Sequence, residues 1–136
     1  MPYTALAKQR RGDRDVRVSS LDLAQWADRT PVLLDDIVST ARTMIDTVRQ
    51  LRRTGARRTV CVVVHAIFAD DAYAELHAAG AGLVVSCNTV LHQTNVIDVG
   101  PLVAQGLASM IGLTMPTPSA RASHTLATAD AWRASF

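Results

Sequence analysis

Val32-Leu33-Leu34-Asp35-Asp36-Ile37-Val38-Ser39-Thr40-Ala41-Arg42-Thr43 is the stretch that decides the fold. Pro31 precedes an apolar run, Val32 to Leu34, that shows no polar alternation. Such a run predicts a strand buried on both faces of a parallel sheet. It leads directly into two adjacent carboxylates, Asp35 and Asp36. A five-residue loop of small and hydroxyl-bearing residues follows. A helix is then predicted from about Thr43 to Arg53, with Met44, Val48 and Leu51 on one face and Gly55 at its carboxyl-terminal cap. Open α/β sheets bind ligands at the carboxyl ends of their strands. A loop that opens a helix there offers free backbone N–H groups and a positive dipole end, which suit a phosphate. Ser39, Thr40 and Thr43 add hydroxyl donors and Arg42 a positive charge. Asp35 and Asp36 can accept hydrogen bonds from sugar hydroxyls or hold Mg²⁺. A turn residue at Asp35 and a helix cap at Thr43 would explain an isolated Asp-Asp pair, but not the whole string.

Outward from this stretch, strands alternate with helices. A strand is expected over Thr59–His65, and a helix over about 70–79 ends at Gly80. A third buried strand is expected over Leu83–Cys87. A loop over 88–95 leads to a short strand at Val96–Val99, and Pro101 suits the first turn of a helix over about 101–111. Upstream, residues 3–7 and 15–18 read as short strands around a charged loop, 8–14. Ser20 is placed to cap a helical turn over 21–26. The expectation is an α/β fold, a mainly parallel sheet flanked by helices. The domain is assigned to residues 1–111. Residues 112–136 read as a loose tail with one short helix at 126–133.

Composition bounds the rest. The chain has 136 residues, 49% hydrophobic and only 4% aromatic, so the core must be aliphatic. That length suits one domain. A net charge of +2 is too small to imply nucleic acid as a partner. No apolar run approaches the ~20 residues of a membrane span, and residues 1–17 lack an apolar signal core. The cytoplasm is therefore the expected compartment, with Cys61 and Cys87 as reduced, buried thiols. Lys8 is the only lysine among fourteen basic residues. Where arginine is used everywhere else, one lysine suggests a place where a guanidinium will not serve.

The string 32–43 resembles the phosphoribosyl-diphosphate loop of type I phosphoribosyltransferases and of ribose-phosphate pyrophosphokinases. Further segments resemble the pyrophosphokinases. Ala7-Lys8-Gln9-Arg10-Arg11 is similar to their Lys-X-Arg flexible catalytic loop. Val62-Val63-Val64-His65-Ala66-Ile67-Phe68 is similar to their strand ending in His with a small-residue turn and Phe. Val84-Val85-Ser86-Cys87-Asn88-Thr89-Val90 is similar to their strand ending in Asn-Thr, and Val99-Gly100-Pro101-Leu102-Val103-Ala104 to the start of their late helix. The resemblance spans roughly residues 3–111.

It implies an incomplete phosphoribosyltransferase-like domain that transfers diphosphate from ATP to the anomeric hydroxyl of ribose 5-phosphate. Residues 39–43 would hold the 5-phosphate: Ser39, Thr40, Ala41, Arg42 and Thr43. Asp35 and Asp36 would hold the ribose hydroxyls, with Mg²⁺ as cofactor. Lys8 and Arg10 would stabilise the transferring phosphoryl group as catalytic residues. His65, which ends a strand near the site, reads equally as a nucleotide contact or as a satisfied structural histidine. The chain departs from the pattern at Ala41, which stands where the first loop glycine is usual, and at Ser39, which replaces a frequent Asp. Arg42 matches the base that some phosphoribosyltransferases carry. Family members are about twice this length, so the resemblance also implies a homo-oligomer or a separate amino-terminal half, and an exposed sheet edge. Two other readings are a phosphoribosyltransferase that consumes phosphoribosyl diphosphate, and a non-catalytic ribose-phosphate-binding regulatory subunit.

Overall fold

The strands of this chain lie side by side in chain order and all point the same way. In the computed structural model, which describes Tyr3, residues 29–56 and residues 58–114, the elements are β1 (Val32–Val38), α1 (Arg42–Arg53), β2 (Thr59–Ala66), α2 (Ala72–Ala79), β3 (Ala81–Cys87), β4 (Asn95–Ile97) and α3 (Gly100–Met110). Among the described residues the sheet has four strands in the order β1-β2-β3-β4, every pair parallel. The expected parallel α/β architecture is therefore present. The chain divides into two compact units, one ending at Val99 and one beginning at Gly100. Apart from Tyr3, the strands expected at 3–7 and 15–18, the turn at 21–26 and the helix at 126–133 lie outside the described residues.

In the first unit, β2 supplies the centre. Its side chains alternate: Thr59, Cys61 and Val63 are buried, while Val60 and Val62 are half-buried and Val64 is exposed. The buried set lies under α1 and α2. Met44, Ile45 and Val48 of α1 pack with Ala72, Leu76 and Ala79 of α2 against Cys61, Val63, Ala81 and Val84. Leu76, Cys61 and Val63 have no solvent exposure. The apolar residues of α1 recur at helical spacing, which places them on this one face. Both cysteines are free and buried, as expected. Burial pushes the Cys61 thiol up to about 12, so it stays neutral and unreactive near pH 7.

Helix ends follow their glycines. α1 closes with the Gly55 N–H on the Arg52 carbonyl at 3.1 Å and the Ala56 N–H on the Leu51 carbonyl at 3.1 Å. These are the two bonds of a Schellman closure, and Gly55 takes the left-handed conformation it needs, φ 82°. Gly80 ends α2 in the left-handed region too, at φ 117°, with its N–H on the His77 carbonyl at 2.9 Å. α2 starts later than the expected residue 70, because Asp70 is itself left-handed at φ 48° and Asp71 is the cap residue. In the second unit, Pro101 sits in the first turn of α3, as expected, and Gly112 follows at φ 73°.

The expectation for β1 needs correction. Only Val38 is buried in this strand, and Leu34 is 77% exposed. β1 stands at the edge of the described sheet, while α1 and α2 lie over β2 and β3. An apolar run without alternation cannot distinguish a central strand from an edge one, because it carries no information about neighbours. The strand is also longer than expected. It continues through both acids to Val38, so the five-residue loop shrinks to Ser39, Thr40 and Ala41 before α1 begins at Arg42.

Candidate functional site

Asp35 and Asp36 lie inside β1, both exposed. Neighbouring residues of a strand point to opposite faces, so the two carboxylates diverge. Asp35 is in register with the buried Val63. Each carboxylate also folds onto the next amide: Asp35 Oδ1 accepts the Asp36 N–H at 3.0 Å, and Asp36 Oδ1 accepts the Ile37 N–H at 2.8 Å. These bonds aim the acids toward the carboxyl end of the strand, where the loop begins.

Ser39 and Thr40 are exposed, and Ala41 is buried at the helix entry. Ala41 has φ 53° and ψ 6°, the left-handed region, and its side chain offers no cap. The first helical bond described is the Ile45 N–H on the Ala41 carbonyl at 2.8 Å. The amides of the first helical turn precede that bond and have no intrahelical acceptor. They lie at the positive end of α1, in a segment that also carries Ser39, Thr40 and the half-buried Thr43. The loop backbone is braced from below. The Ile67 N–H donates to the Val38 carbonyl at 3.0 Å, and the Ala69 N–H to the Ser39 carbonyl at 3.2 Å. The β2–α2 connection thus fixes the level at which the loop sits.

The conformation of Ala41 settles what the missing glycine costs. A left-handed L-residue costs about 1–2 kcal/mol. Ala41→Gly relieves that, but loses about 0.4–1 kcal/mol to unfolded-chain entropy and about 0.8 kcal/mol for the buried methyl. The net change in stability should be close to zero. Ala41→Val should lose about 2 kcal/mol, because a β-branched residue at this φ is a severe outlier. Chemical denaturation of both variants checks this. Equal losses for the two would mean that the loop does not hold Ala41 left-handed.

His65 stands one position before the end of β2, in register with Ile37. Thr89, just beyond β3, determines its tautomer. The Thr89 hydroxyl donates its one proton to the Val64 carbonyl at 2.8 Å. The contact between His65 Nδ1 and Thr89 Oγ1, 2.9 Å, must then have Nδ1–H as donor. In the neutral ring, Nε2 is left as the acceptor. Asn88, the neighbour of Thr89, donates to Asp98 Oδ1 at 2.7 Å and accepts the Val99 N–H at 3.0 Å. The Asn-Thr pair after β3 is therefore a clamp: one residue orients His65 and the other ties down the chain after β4. Sequence reasoning placed the pair at a strand end but gave neither residue a role. Its position beside the ligand end of a parallel sheet was the available signal.

His92 and His77 belong to an aromatic cluster with Phe68 and Tyr73. Tyr73 meets His77 at 4.7 Å and His92 at 5.2 Å, and Phe68 meets His92 at 5.0 Å between ring centroids. Their placement is structural packing around the β2–α2 connection. Lys8 and Arg10 lie outside the described residues. No helix among the described residues is long and apolar enough to cross a membrane.

The divergent carboxylates bear on Mg²⁺. No group of three or more His, Cys, Asp or Glu side chains converges among the described residues. Mg²⁺ commonly takes one or two carboxylates, with waters and substrate phosphates completing its shell. Exposed oxygen donors beside a phosphate loop fit that pattern through a single carboxylate, and not as a two-carboxylate chelate.

An acid-bearing parallel strand, a short hydroxyl loop and an uncapped helix entry thus meet at one end of the sheet. The family model of the phosphoribosyl transferase domain matches residues 1–103. A ribose-phosphate pyrophosphokinase of Sulfurisphaera tokodaii is 35% identical over 109 residues, covering 76% of this chain and 37% of the relative. Proteins of the same name from Sulfolobus acidocaldarius and Deinococcus radiodurans are each 31% identical, also over 76% of this chain, and over 37% and 35% of their own lengths. The chain thus spans little more than a third of the curated relatives it matches. The match and the geometry agree over the same residues, and on both grounds the chain belongs to the phosphoribosyl transferase domain family.

Proposed function

We propose that this chain is the sugar-phosphate-binding part of a ribose-phosphate diphosphokinase. The observation that carries the reading is the left-handed, uncapped entry into α1 directly after the acid-bearing strand. It leaves the amides of the first helical turn without intrahelical acceptors in a segment that carries the hydroxyls of Ser39, Thr40 and Thr43, the kind of donors a phosphate dianion requires. The relatives' shared name supports the choice of reaction within the family.

In this reading residues 39–43 hold the 5-phosphate. Asp36 and Asp35 accept hydrogen bonds from the ribose hydroxyls and fix the ring, so that the anomeric hydroxyl faces the ATP. That oxygen attacks the β-phosphorus, the bond from the β-phosphorus to the bridging oxygen breaks, and AMP leaves while the hydroxyl proton passes to solvent. Lys8 and Arg10 offset the charge of the transferring group, the main form of catalysis available to phosphoryl transfer. His65 Nε2 accepts from the nucleotide. Mg²⁺, held through one of the two carboxylates, neutralises phosphate charge when bound. ATP and the remainder of its site come from a second copy or from a separate amino-terminal part.

Calorimetric titration with ribose 5-phosphate and Mg²⁺ tests the sugar site. Asp36→Asn should weaken binding by about 10–150-fold, the value of one charge-assisted hydrogen bond. Its melting temperature should hold, because Asp36 is exposed and asparagine can still accept the Ile37 amide. Unchanged affinity, or unfolding of the variant, would assign Asp36 a structural role instead.

A further inference from the structure

A basic face lies at the opposite end of α1 from the phosphate loop. Arg49, Arg52 and Arg53 are spaced i, i+3 and i+4, which puts them on one side of the helix. Two adjoining hollows share Arg52. One, of about 380 Å³, is bounded by Arg49, Arg52 and Arg53 against the end of α2. The other, of about 420 Å³, is bounded by Arg52, Arg58 and Thr59 against the start of β3. Among the described residues, no carboxylate lines either hollow.

Two glycines seat the arginine stems. A Cβ at Gly80 would lie 3.3 Å from Arg52 Cδ, and one at Gly82 only 2.6 Å from Arg58 Cβ. Gly82 is inside β3 and not in the left-handed region, so its backbone does not call for glycine. Glycine weakens a strand, and where it persists it often marks a close approach. Here the group that approaches is Arg58.

The helix dipole accounts for Arg52 and Arg53, which lie in the last turn. It does not account for Arg49, one turn earlier. Arg49 has a carboxylate neighbour, Asp46, at 3.6 Å, but both side chains are about half exposed, 54% and 51%. Exposed pairs of this kind are weak and exchange readily for a better partner. Guanidinium forks match phosphate oxygens two at a time.

We propose that this face binds the phosphate groups of a small molecule, a diphosphate better than a monophosphate, because the two hollows share one arginine. The site is separate from residues 39–43: the twelve residues of α1 span about 18 Å at 1.5 Å each, too far for one small ligand to reach both. The modest net charge of +2 and the two-hollow footprint favour a small ligand over a nucleic acid. A nucleotide and a sugar phosphate share this chemistry.

Amide-resolved NMR titration of the full chain with inorganic diphosphate tests the proposal. Saturable shifts are expected at Arg52, Gly80 and Gly82. The double variant Arg52→Gln, Arg53→Gln should weaken them at least about tenfold and leave shifts at Ser39 and Thr40 unchanged, while Thr43→Val should do the reverse. Arg52→Lys, which keeps the charge but loses the fork, should give an intermediate loss. Parallel titrations with ADP and with ribose 5-phosphate identify the source, and the stronger of the two at Gly80 and Gly82 names it. Absence of saturable shifts there would overturn the site, as would an equal loss from Arg42→Gln at the opposite end of α1. Neither result would touch the loop, whose failure would show separately as missing shifts at residues 39–43.

Discussion

Thr43→Val should lower the affinity for ribose 5-phosphate by about 10–150-fold and leave the fold nearly unchanged. Thr43 lies in the first turn of α1, half-buried, where its amide has no intrahelical acceptor. The carbonyl of Thr43 accepts the Thr47 hydroxyl at 2.8 Å, and valine retains that carbonyl. Valine also keeps the volume, so the core beneath, Met44 and Val48, is not disturbed. Only the hydroxyl donor is lost. A hydrogen bond to a charged phosphate is worth about 1.5–3 kcal/mol, and 1.4 kcal/mol is a tenfold change in affinity. Thr40→Val should behave similarly, since its side chain is exposed in the same loop. Calorimetry on both variants, with thermal denaturation as the control for folding, gives the answer. If Thr43→Val binds ribose 5-phosphate as well as the parent chain does, the loop is not the phosphate site.

The parallel α/β plan was legible because its signals are local. Val60-Cys61-Val62-Val63-Val64 and Leu83-Val84-Val85 carry strand composition, and Gly55 and Gly80 close the helices before the next strands begin. The strand–loop–helix unit of residues 32–53 was legible for the same reason, being contiguous. What sequence could not supply was neighbour information. The edge position of β1 follows from the order of strands in space, not from its own residues. The extension of β1 through Asp35 and Asp36 is a consequence of pairing with β2, where Ile37 and Val38 match His65 and Ala66. Acids are poor strand formers, so local propensity ended the strand too early.

The links that cross the sequence were likewise hidden. Thr89 and His65 are twenty-four residues apart, and nothing in either segment announces the contact. The tautomer of His65 depends on a hydroxyl that depends in turn on the carbonyl of Val64. The same holds for Phe68, Tyr73, His77 and His92, which sit in three separate segments and meet only once α2 packs on the sheet. Ala41 is the intermediate case. Its departure from glycine was visible in the sequence, but the sign of its cost needed φ, and φ 53° places it on the unfavourable side.

The 136-residue chain, purified by itself, should form little or no phosphoribosyl diphosphate from ribose 5-phosphate, ATP and Mg²⁺. Diphosphoryl transfer requires both substrates to be held in line. The described residues carry the one loop proposed to hold the sugar phosphate, and the chain corresponds to about 37% of the length of its Sulfurisphaera tokodaii relative. An enzyme that holds one of two substrates forgoes most of the advantage of proximity, about 7–11 kcal/mol at the upper end. Supplying the amino-terminal part of a relative should bring activity back by restoring the ATP side of the site. In that complex Lys8→Ala should depress turnover far more than ribose 5-phosphate affinity, because a compact ammonium acts on the transferring group and not on the bound sugar. Arg10→Ala should show the same separation. AMP release that depends on ribose 5-phosphate is the measurement. Vigorous synthesis by the 136-residue chain alone would mean that it holds ATP as well, and equal loss of turnover and sugar affinity in Lys8→Ala would move Lys8 from the reacting group to the sugar site.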